Sequence, residues 1–335
     1  MYIIIPAYEP DKRLVTVVKD IKKQLGAHII VINDGSGNQY QKFFDESEKP
    51  GATILIHTHN RGKGAALKTA FSYIQKKSKK EGFMITADSD GQHLIKDIVK
   101  VAKTSQENPT ALVLGARAFV GNVPFRSRFG NKTTALLFRL VTGQAISDTQ
   151  TGLRGMSTHL IPWLLKLDGE RFDYEFNMLL EANKDGHPIV EEAIETVYLE
   201  GNKSSHFRPL QDSILIYSPF LKFSGTAILA AVIDAVGLFI IFAMTKNLLL
   251  SVILARIISA STQCLLNANY VFNRTSPLFK SLIRYFMLAI VLLTCNYFML
   301  KTLVGIGIGL VLAKLVTESL IFLVSYRVQR TIVFT

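Results

Sequence analysis

The chain has 335 residues, 49% of them hydrophobic, and a net charge of +12, which is long enough for two domains of about 100–200 residues each. From Pro219 onward there are ten Lys or Arg and only two acids, Asp234 and Glu318, so eight of the twelve net positive charges lie in an apolar, acid-poor segment. That distribution points to a membrane domain and argues against a nucleic-acid binder, whose Lys and Arg would cluster on a soluble face among aromatics; the two cysteines, Cys264 and Cys295, lie in apolar segments without metal-type spacing and exclude a disulfide framework.

The opening MYIIIPAYEP reads as a strand ending at Pro6 rather than a signal peptide, since it has neither a basic n-region nor a small-residue cleavage site. The first domain is therefore expected in the cytoplasm. LVTVVKDIKKQL (14–25) has helical spacing, HIIVIND (28–34) and TILIHT (53–58) are strand-like, and GKGAALKTAFSYIQKKSKK (62–80) is helical. The strand GFMITA (82–87), the helix HLIKDIVKVAKTSQ (93–106) and the strand ALVLGAR (111–117) follow. Alternating β and α units predict a mostly parallel sheet with helices on both faces. Ligands of such sheets bind beyond the carboxyl ends of the strands. Tyr8, Asp34, Asp88 and Arg117 all fall at or just after those ends.

Residues 206–222 mix Arg, Asp and Lys with Ile, Leu, Tyr and Phe, and read either as an amphipathic helix in the membrane interface or as an ordinary surface helix. They separate a first domain (1–205) from a second (223–335). Four apolar segments follow, near 223–244, 248–270, 282–300 and 304–326, each close to the ~20 residues that cross a bilayer. Arg274, Lys280, Arg284, Arg327 and Arg330 flank one side and only Lys246 and Lys301 the other, which predicts both termini in the cytoplasm. ANYVFNR (268–274) and VSYRVQR (324–330) suggest two related helix hairpins. Asp234, Arg256, Lys314 and Glu318 lie inside the spans; Lys314 is spaced to pair with Glu318, and Asp234 to face Arg256. Structural pairing and a path for a lipid headgroup or substrate are both open readings.

Chemistry concentrates in ITADSDGQH (85–93), where Asp88 and Asp90 follow a strand. Such a pair suits a hard divalent cation; Mg²⁺ commonly uses one or two carboxylates plus substrate phosphates. An acidic turn is the alternative. In VINDGSG (31–37), Asp34 is placed to accept from a base N–H or a ribose hydroxyl, and Tyr8 and Glu9 end the first strand. NRGKGAALKTAF (60–71) lacks phosphate-loop spacing, so its glycines are read as a tight helix entry with Lys63 near an anion. No G-x-G-x-x-G fingerprint is present, which disfavours a dinucleotide oxidoreductase. His93 is read as a structural histidine. Taken one at a time, the arginines could be surface ion pairs, Asp148 a helix cap and Glu175 part of a solvated face.

In order, IIIPAYEP, VINDGSG, GKGAAL, ADSDGQH and GAR resemble the family-two inverting glycosyltransferases of GT-A fold. SDTQTGLRG (147–155), FDYEF (172–176) and SSHFRP (204–209) narrow the resemblance, over residues 1–210, to the dolichyl- and polyprenyl-phosphate sugar transferases. Residues 219–335 are similar to the GtrA-like four-span family, through NYVFNR and the VF near the end. The chain departs from the common pattern at PAYEP, where an acid after Asn is frequent. It departs again at Ser205-His206-Phe207, where Ser-Lys-Phe is frequent, leaving Arg208 as the candidate basic contact to the lipid phosphate.

The resemblance implies an α/β GT-A domain followed by an all-α four-helix transmembrane domain in the plasma membrane. It implies inverting transfer from a nucleotide sugar, by analogy a UDP-sugar, to polyprenyl (undecaprenyl) phosphate, for cell-envelope glycan or teichoic acid glycosylation. Pro6, Tyr8, Glu9, Asp34 and Lys63 would hold the donor, and Asp88, Asp90 and Gln92 a Mg²⁺ or Mn²⁺ on its diphosphate. Arg117 would face the phosphates; Arg126, Arg128, Ser205 and Arg208 would meet the lipid phosphate. Asp148 and Arg154 would order the site around the sugar, with Glu175 a neighbour of unassigned role. No nucleic-acid partner is implied, and homo-oligomerisation is left open. A processive polysaccharide synthase is the first rival, but the single tryptophan, Trp163, sits in IPWLL and not in Q-x-x-R-W. A lipid-linked sugar transporter with an inactive transferase domain is the second, and the intact Asp88/Asp90 pair stands against it.

Overall fold

The computed structural model describes residues 1–77, 81–117, 125–195, 214, 217–272, 274 and 276–335, with only the backbone for residues 125–130, 137, 140 and 141. Two compact units result, Met1–Arg139 with Gln144–Ile216, and Leu140–Gly143 with Tyr217–Thr335.

The first unit runs β1 (Tyr2–Ala7), α1 (Lys12–Leu25), β2 (His28–Asn33), α2 (Gln41–Glu48), β3 (Thr53–Ile56), α3 (Lys63–Lys77), β4 (Phe83–Thr86), α4 (Ile95–Glu107), β5 (Leu112–Arg117), α5 (Phe125–Thr142), β6 (Arg154–Ser157), α6 (Ile161–Leu164), α7 (Phe172–Ala182) and β7 (Ile189–Ile194). The strands form one sheet in the order β3-β2-β1-β4-β6-β5-β7. β6 alone runs antiparallel, to β4 on one side and β5 on the other. Central strands such as YIIIPA are continuous apolar runs because both faces are covered. Ile3, Ile5, Ile29 and Val31 pack with Leu14, Val18 and Ile21 of α1 and Ile98 and Val101 of α4. On the other face Ile4 and Ile30 are buried, and α3 packs against β1 and β2. α1 begins at an N-cap, Asp11, whose carboxylate accepts from the Arg13 N–H at 2.8 Å, and ends at Gly26 with φ 57°. The mostly parallel sheet is as expected, but β6 and β7 have no counterpart in the strands read from the sequence.

Among the described residues the second unit contains four long helices, α8 (Ser218–Thr245), α9 (Leu248–Leu266), α10 (Leu278–Gly305) and α11 (Leu310–Val328). The helical segments Ser218–Thr245, Leu248–Val271 and Leu278–Gly305 are long and apolar enough to cross a membrane. The fourth, α11, has the length but carries Lys314, Glu318 and Arg327. α9 and α11 each end in a π-helical turn, Asn267–Val271 and Gln329–Val333. These turns reveal the internal repeat in a corrected register. Asn267 is equivalent to Gln329, and Phe272 to Phe334, rather than ANYVFNR to VSYRVQR. The equivalents touch: Asn267 Nδ2 donates to Gln329 Oε1 at 2.8 Å, and the two phenyl rings stack with centroids 5.5 Å apart. Each hairpin also carries a polar bridge between its helices. Arg256 Nη2 lies 3.0 Å from Asp234 Oδ2 in the first, and Asn296 Nδ2 donates to Glu318 Oε1 at 3.0 Å in the second. Arg256 and Glu318 occupy the same position in α9 and α11. The expected pairing of Lys314 with Glu318 is present as well.

Candidate active site

Because β1, β2, β4 and β5 point the same way, their carboxyl ends share one edge of the sheet. Pro6 is the fifth residue of β1, with Tyr8 and Glu9 just beyond it; Asp34 follows β2, Asp88 follows β4, and Arg117 ends β5. Antiparallel β6 enters the sheet from the same edge, with Arg154 in register with Thr86. That reversal brings Asp148 and Arg154 to the site.

Asp34 is buried and accepts from three donors: the Arg61 N–H at 2.9 Å, the Gly62 N–H at 2.8 Å and His57 Nδ1 at 2.7 Å. His57 Nε2 in turn meets Thr69 Oγ1 at 2.9 Å. A carboxylate has about four lone-pair sites, so Asp34 spends most of its capacity anchoring the loop that carries Lys63. Gly35, at φ 73°, lets that loop approach: a Cβ there would lie 2.2 Å from the His59 carbonyl carbon. Glu9, also in the left-handed region at φ 48°, donates its N–H to Ser36 Oγ at 2.9 Å. Burial and the Glu9 hydrogen bond push the Tyr8 phenol above its usual range.

Lys63 Nζ lies 2.7 Å from Asp88 Oδ1 and 3.0 Å from Glu175 Oε2. His93 Nε2 lies 3.1 Å from Asp88 Oδ2. Behind them Arg154 is buried, its Nη1 donating to the Glu175 carbonyl at 2.6 Å and its Nε 3.8 Å from Glu175 Oε1. Burial alone would raise the pKa of Asp88, but the Lys63 ammonium and His93 outweigh it and hold the carboxyl well below its usual range. Burial would likewise lower Lys63, yet Asp88 and Glu175 keep the ammonium charged. Asp90 makes no ion pair among the described residues; burial and the Asp88 charge push it up, against the Gln92 N–H that donates to Oδ1 at 3.0 Å and the weaker pull of His93 and Lys63. Lys63 is thus paired with the protein's own carboxylates, Asp88 and Glu175. His93, read from the sequence as a structural histidine rather than a proton carrier, makes its contact with Asp88.

Arg117 is held by Asp148 in a fork, Nε to Oδ2 at 2.6 Å and Nη2 to Oδ1 at 3.0 Å. Asp148 also accepts from the Gln150 N–H at 3.0 Å, so it is the orienting partner of Arg117 and not a helix cap. Glu191 of β7, absent from the sequence-derived candidates, fixes this turn by accepting from the Ser147 N–H and Oγ, both at 2.8 Å. Arg126 and Arg128 fall in α5, where their side chains are outside the described residues, as are Ser205, Arg208 and most of the 206–222 segment.

Among the described residues no group of three or more His, Cys, Asp or Glu forms a metal site. Two carboxylates plus substrate oxygens are nevertheless an ordinary Mg²⁺ or Mn²⁺ arrangement. The local structure fits that use: Asp88 and Asp90 are only partly covered, and Gly152 puts no side chain beside Asp88. A Cβ at Gly152 would lie 2.4 Å from Asp88 Oδ2 and 2.7 Å from Lys63 Nζ.

Comparison with known proteins gives two adjoining matches. The model of Glycosyl transferase family 2 matches residues 2–160, and that of the GtrA/DPMS transmembrane domain matches residues 222–334. An uncharacterized protein of Methanocaldococcus jannaschii is 30% identical over 213 residues, which cover 61% of this chain and 84% of the relative. The UDP-N-acetylglucosamine–dolichyl-phosphate N-acetylglucosaminyltransferase of Methanococcus voltae is 28% identical over 221 residues, covering 60% of this chain and 86% of that enzyme. Among solved structures, the glucosyl-3-phosphoglycerate synthase of Mycobacterium tuberculosis, in complex with Mn²⁺, UDP-glucose and phosphoglyceric acid, superposes with a TM-score of 0.50 at 15% identity, covering 66% of this chain and 77% of that one. At that identity the likeness concerns the fold.

Proposed function

The chain belongs to glycosyl transferase family 2 and carries a GtrA/DPMS transmembrane domain, and from this we propose that it moves a sugar from a nucleotide sugar to a polyprenyl phosphate at the membrane surface. The observation that carries the reading is the Asp88/Asp90 pair at the strand ends, with Lys63 on Asp88 and the Arg117–Asp148 fork nearby in sequence order. The M. voltae relative, whose name specifies a UDP-sugar donor and a dolichyl-phosphate acceptor, supports a UDP-sugar and a polyprenyl phosphate here.

Asp88 and Asp90 would hold Mg²⁺ or Mn²⁺ on the donor diphosphate. Such an ion neutralises charge as it develops on the leaving group. Lys63, charged throughout, adds a fixed positive group on the same side. Arg117, kept in one orientation by Asp148, presents a guanidinium towards phosphate without the entropy cost of a free side chain. Pro6, Tyr8 and Glu9 would take the nucleoside, with Asp34 holding the loop beside it. Arg126, Arg128, Ser205 and Arg208 would meet the acceptor phosphate.

A phosphate monoester has a second pKa of about 6, so the acceptor is already anionic at neutral pH and attacks the anomeric carbon without a protein base. The chain's task is to bring two anions together, which accounts for a site rich in basic groups. Inversion at the anomeric carbon follows from a single in-line attack. Supplying purified full-length protein with Mn²⁺, polyprenyl phosphate and a panel of labelled UDP- and GDP-sugars tests the reading. One donor should yield a labelled lipid. Folded protein that gives no lipid product with any donor refutes it and favours a transporter with an inactive transferase domain.

A further inference from the structure

Glu175 has no task in that scheme, and the geometry around Lys63 supplies one. Asp88 has both oxygens engaged, Oδ1 with Lys63 and Oδ2 with His93. A divalent ion drawing on Asp88 therefore meets a resident cation. Lys63 is itself largely buried, its side chain 14% exposed. Leaving a buried ammonium unpaired is strongly destabilising, so Lys63 could not surrender Asp88 unless another anion held it. Glu175 is that anion. Its Oε2 is 3.0 Å from the same Nζ, and its side chain is 8% exposed. Its second oxygen, Oε1, is buried and has no hydrogen-bond partner among the described residues, as is true of Arg154 Nη2 behind it. The carboxylate is thus held between two cations with capacity in reserve.

We propose that Glu175 is the counter-ion that allows Lys63 to yield Asp88 to the divalent ion. Before the ion binds, Lys63 bridges Asp88 and Glu175. Once the ion takes Asp88, Lys63 remains paired with Glu175, and its two other N–H donors are free for the donor diphosphate. The local charge supports the exchange. Asp88, Asp90 and Glu175 together with Lys63 and Arg154 sum to one net negative charge, which a divalent ion converts into one net positive charge, opposite in sign to an incoming diphosphate. Glu175 and Lys63 are positioning residues in this scheme, and the inference rests on the metal reading of Asp88 and Asp90.

Mn²⁺ binding to the full-length protein, followed by the electron paramagnetic resonance of free Mn²⁺ without nucleotide sugar, tests it independently of activity. Wild type should bind Mn²⁺ and Asp90→Asn should lose that binding. Glu175→Gln leaves Lys63 with Asp88 as its only carboxylate and should weaken Mn²⁺ binding about tenfold. Adding Lys63→Met to Glu175→Gln removes the competitor and should restore wild-type affinity or better. Lys63→Met alone should bind Mn²⁺ at least as tightly as wild type. Wild-type affinity in Glu175→Gln, or no recovery in the double variant, overturns the proposal. If Glu175→Gln fails to fold, Lys63→Met decides, since weaker binding there also overturns it. Absent Mn²⁺ binding in wild type, or unchanged binding in Asp90→Asn, contradicts the metal reading instead.

Discussion

Asp88 and Asp90 stand one residue apart, yet their surroundings drive them in opposite directions. Lys63 and His93 outweigh burial at Asp88 and keep it ionised; burial and the Asp88 charge raise Asp90. Asp90→Asn should reduce transfer by at least about a hundredfold while leaving the circular dichroism melt within a few degrees of wild type, because among the described residues Asp90 holds only the Gln92 N–H. A more ordinary acid caps α1. Asp11→Ala should cost about 1 kcal/mol in a denaturant titration. The Asp11 carboxyl sits below its usual range, chiefly through its hydrogen bond with Arg13. Its contribution is therefore present above the unfolded value near 3.8 and lost as pH falls through the lower folded value, so the variant and wild type should converge in acid. Asp88 and Asp90 were legible in the sequence because an acid pair directly follows an apolar strand. His57 and Glu191 were not, since their partners lie 23 and 44 residues away and no local pattern marks them. The Lys63–Glu175 pair was half legible: each residue stood out, but only the packing of α3 against α7 joins them.

At the scale of elements, the site depends on loops that leave parallel strands along one edge and on one strand that runs backwards. Gly35→Ala places a Cβ on the His59 backbone at a positive φ. It should cost about 1–3 kcal/mol and lower nucleotide affinity, both measurable by thermal melts with and without UDP. Strands β1, β2, β4 and β5 were legible as apolar runs bounded by polar turns. β6, with the sequence RGMS, has neither an apolar run nor alternation, and its burial comes from its neighbours in the sheet. β7 alternates weakly through two glutamates, of which Glu191 turns out to anchor the Asp148 turn. In the membrane unit the helices were legible from length and apolarity. The repeat register was not, because the equivalence rests on side-chain role. Asn267 and Gln329 share an amide, which a search for identical letters passes over.

At the scale of the molecule, the asymmetry of positive charge argues that the short α8–α9 and α10–α11 connections lie on the face opposite the α9–α10 connection and the C-terminus. With Cys264 and Cys295 replaced by serine, Asn247→Cys should resist an impermeant maleimide in sealed vesicles whose cytoplasmic face is outward, whereas Pro277→Cys should react. The reverse pattern would invert the topology. On the proposed function, a first unit on the cytoplasmic side would meet both a soluble nucleotide-sugar donor and a lipid phosphate. The central claim is that this phosphate is the attacking group, and offering the full-length protein one labelled nucleotide sugar with Mn²⁺ and either polyprenyl phosphate or the corresponding polyprenol tests it most directly. Labelled lipid should form only with the phosphate and be lost in Asp90→Asn; label on the polyprenol, or none on either lipid from folded protein across the donor panel, would rule out the phosphate as the attacking group.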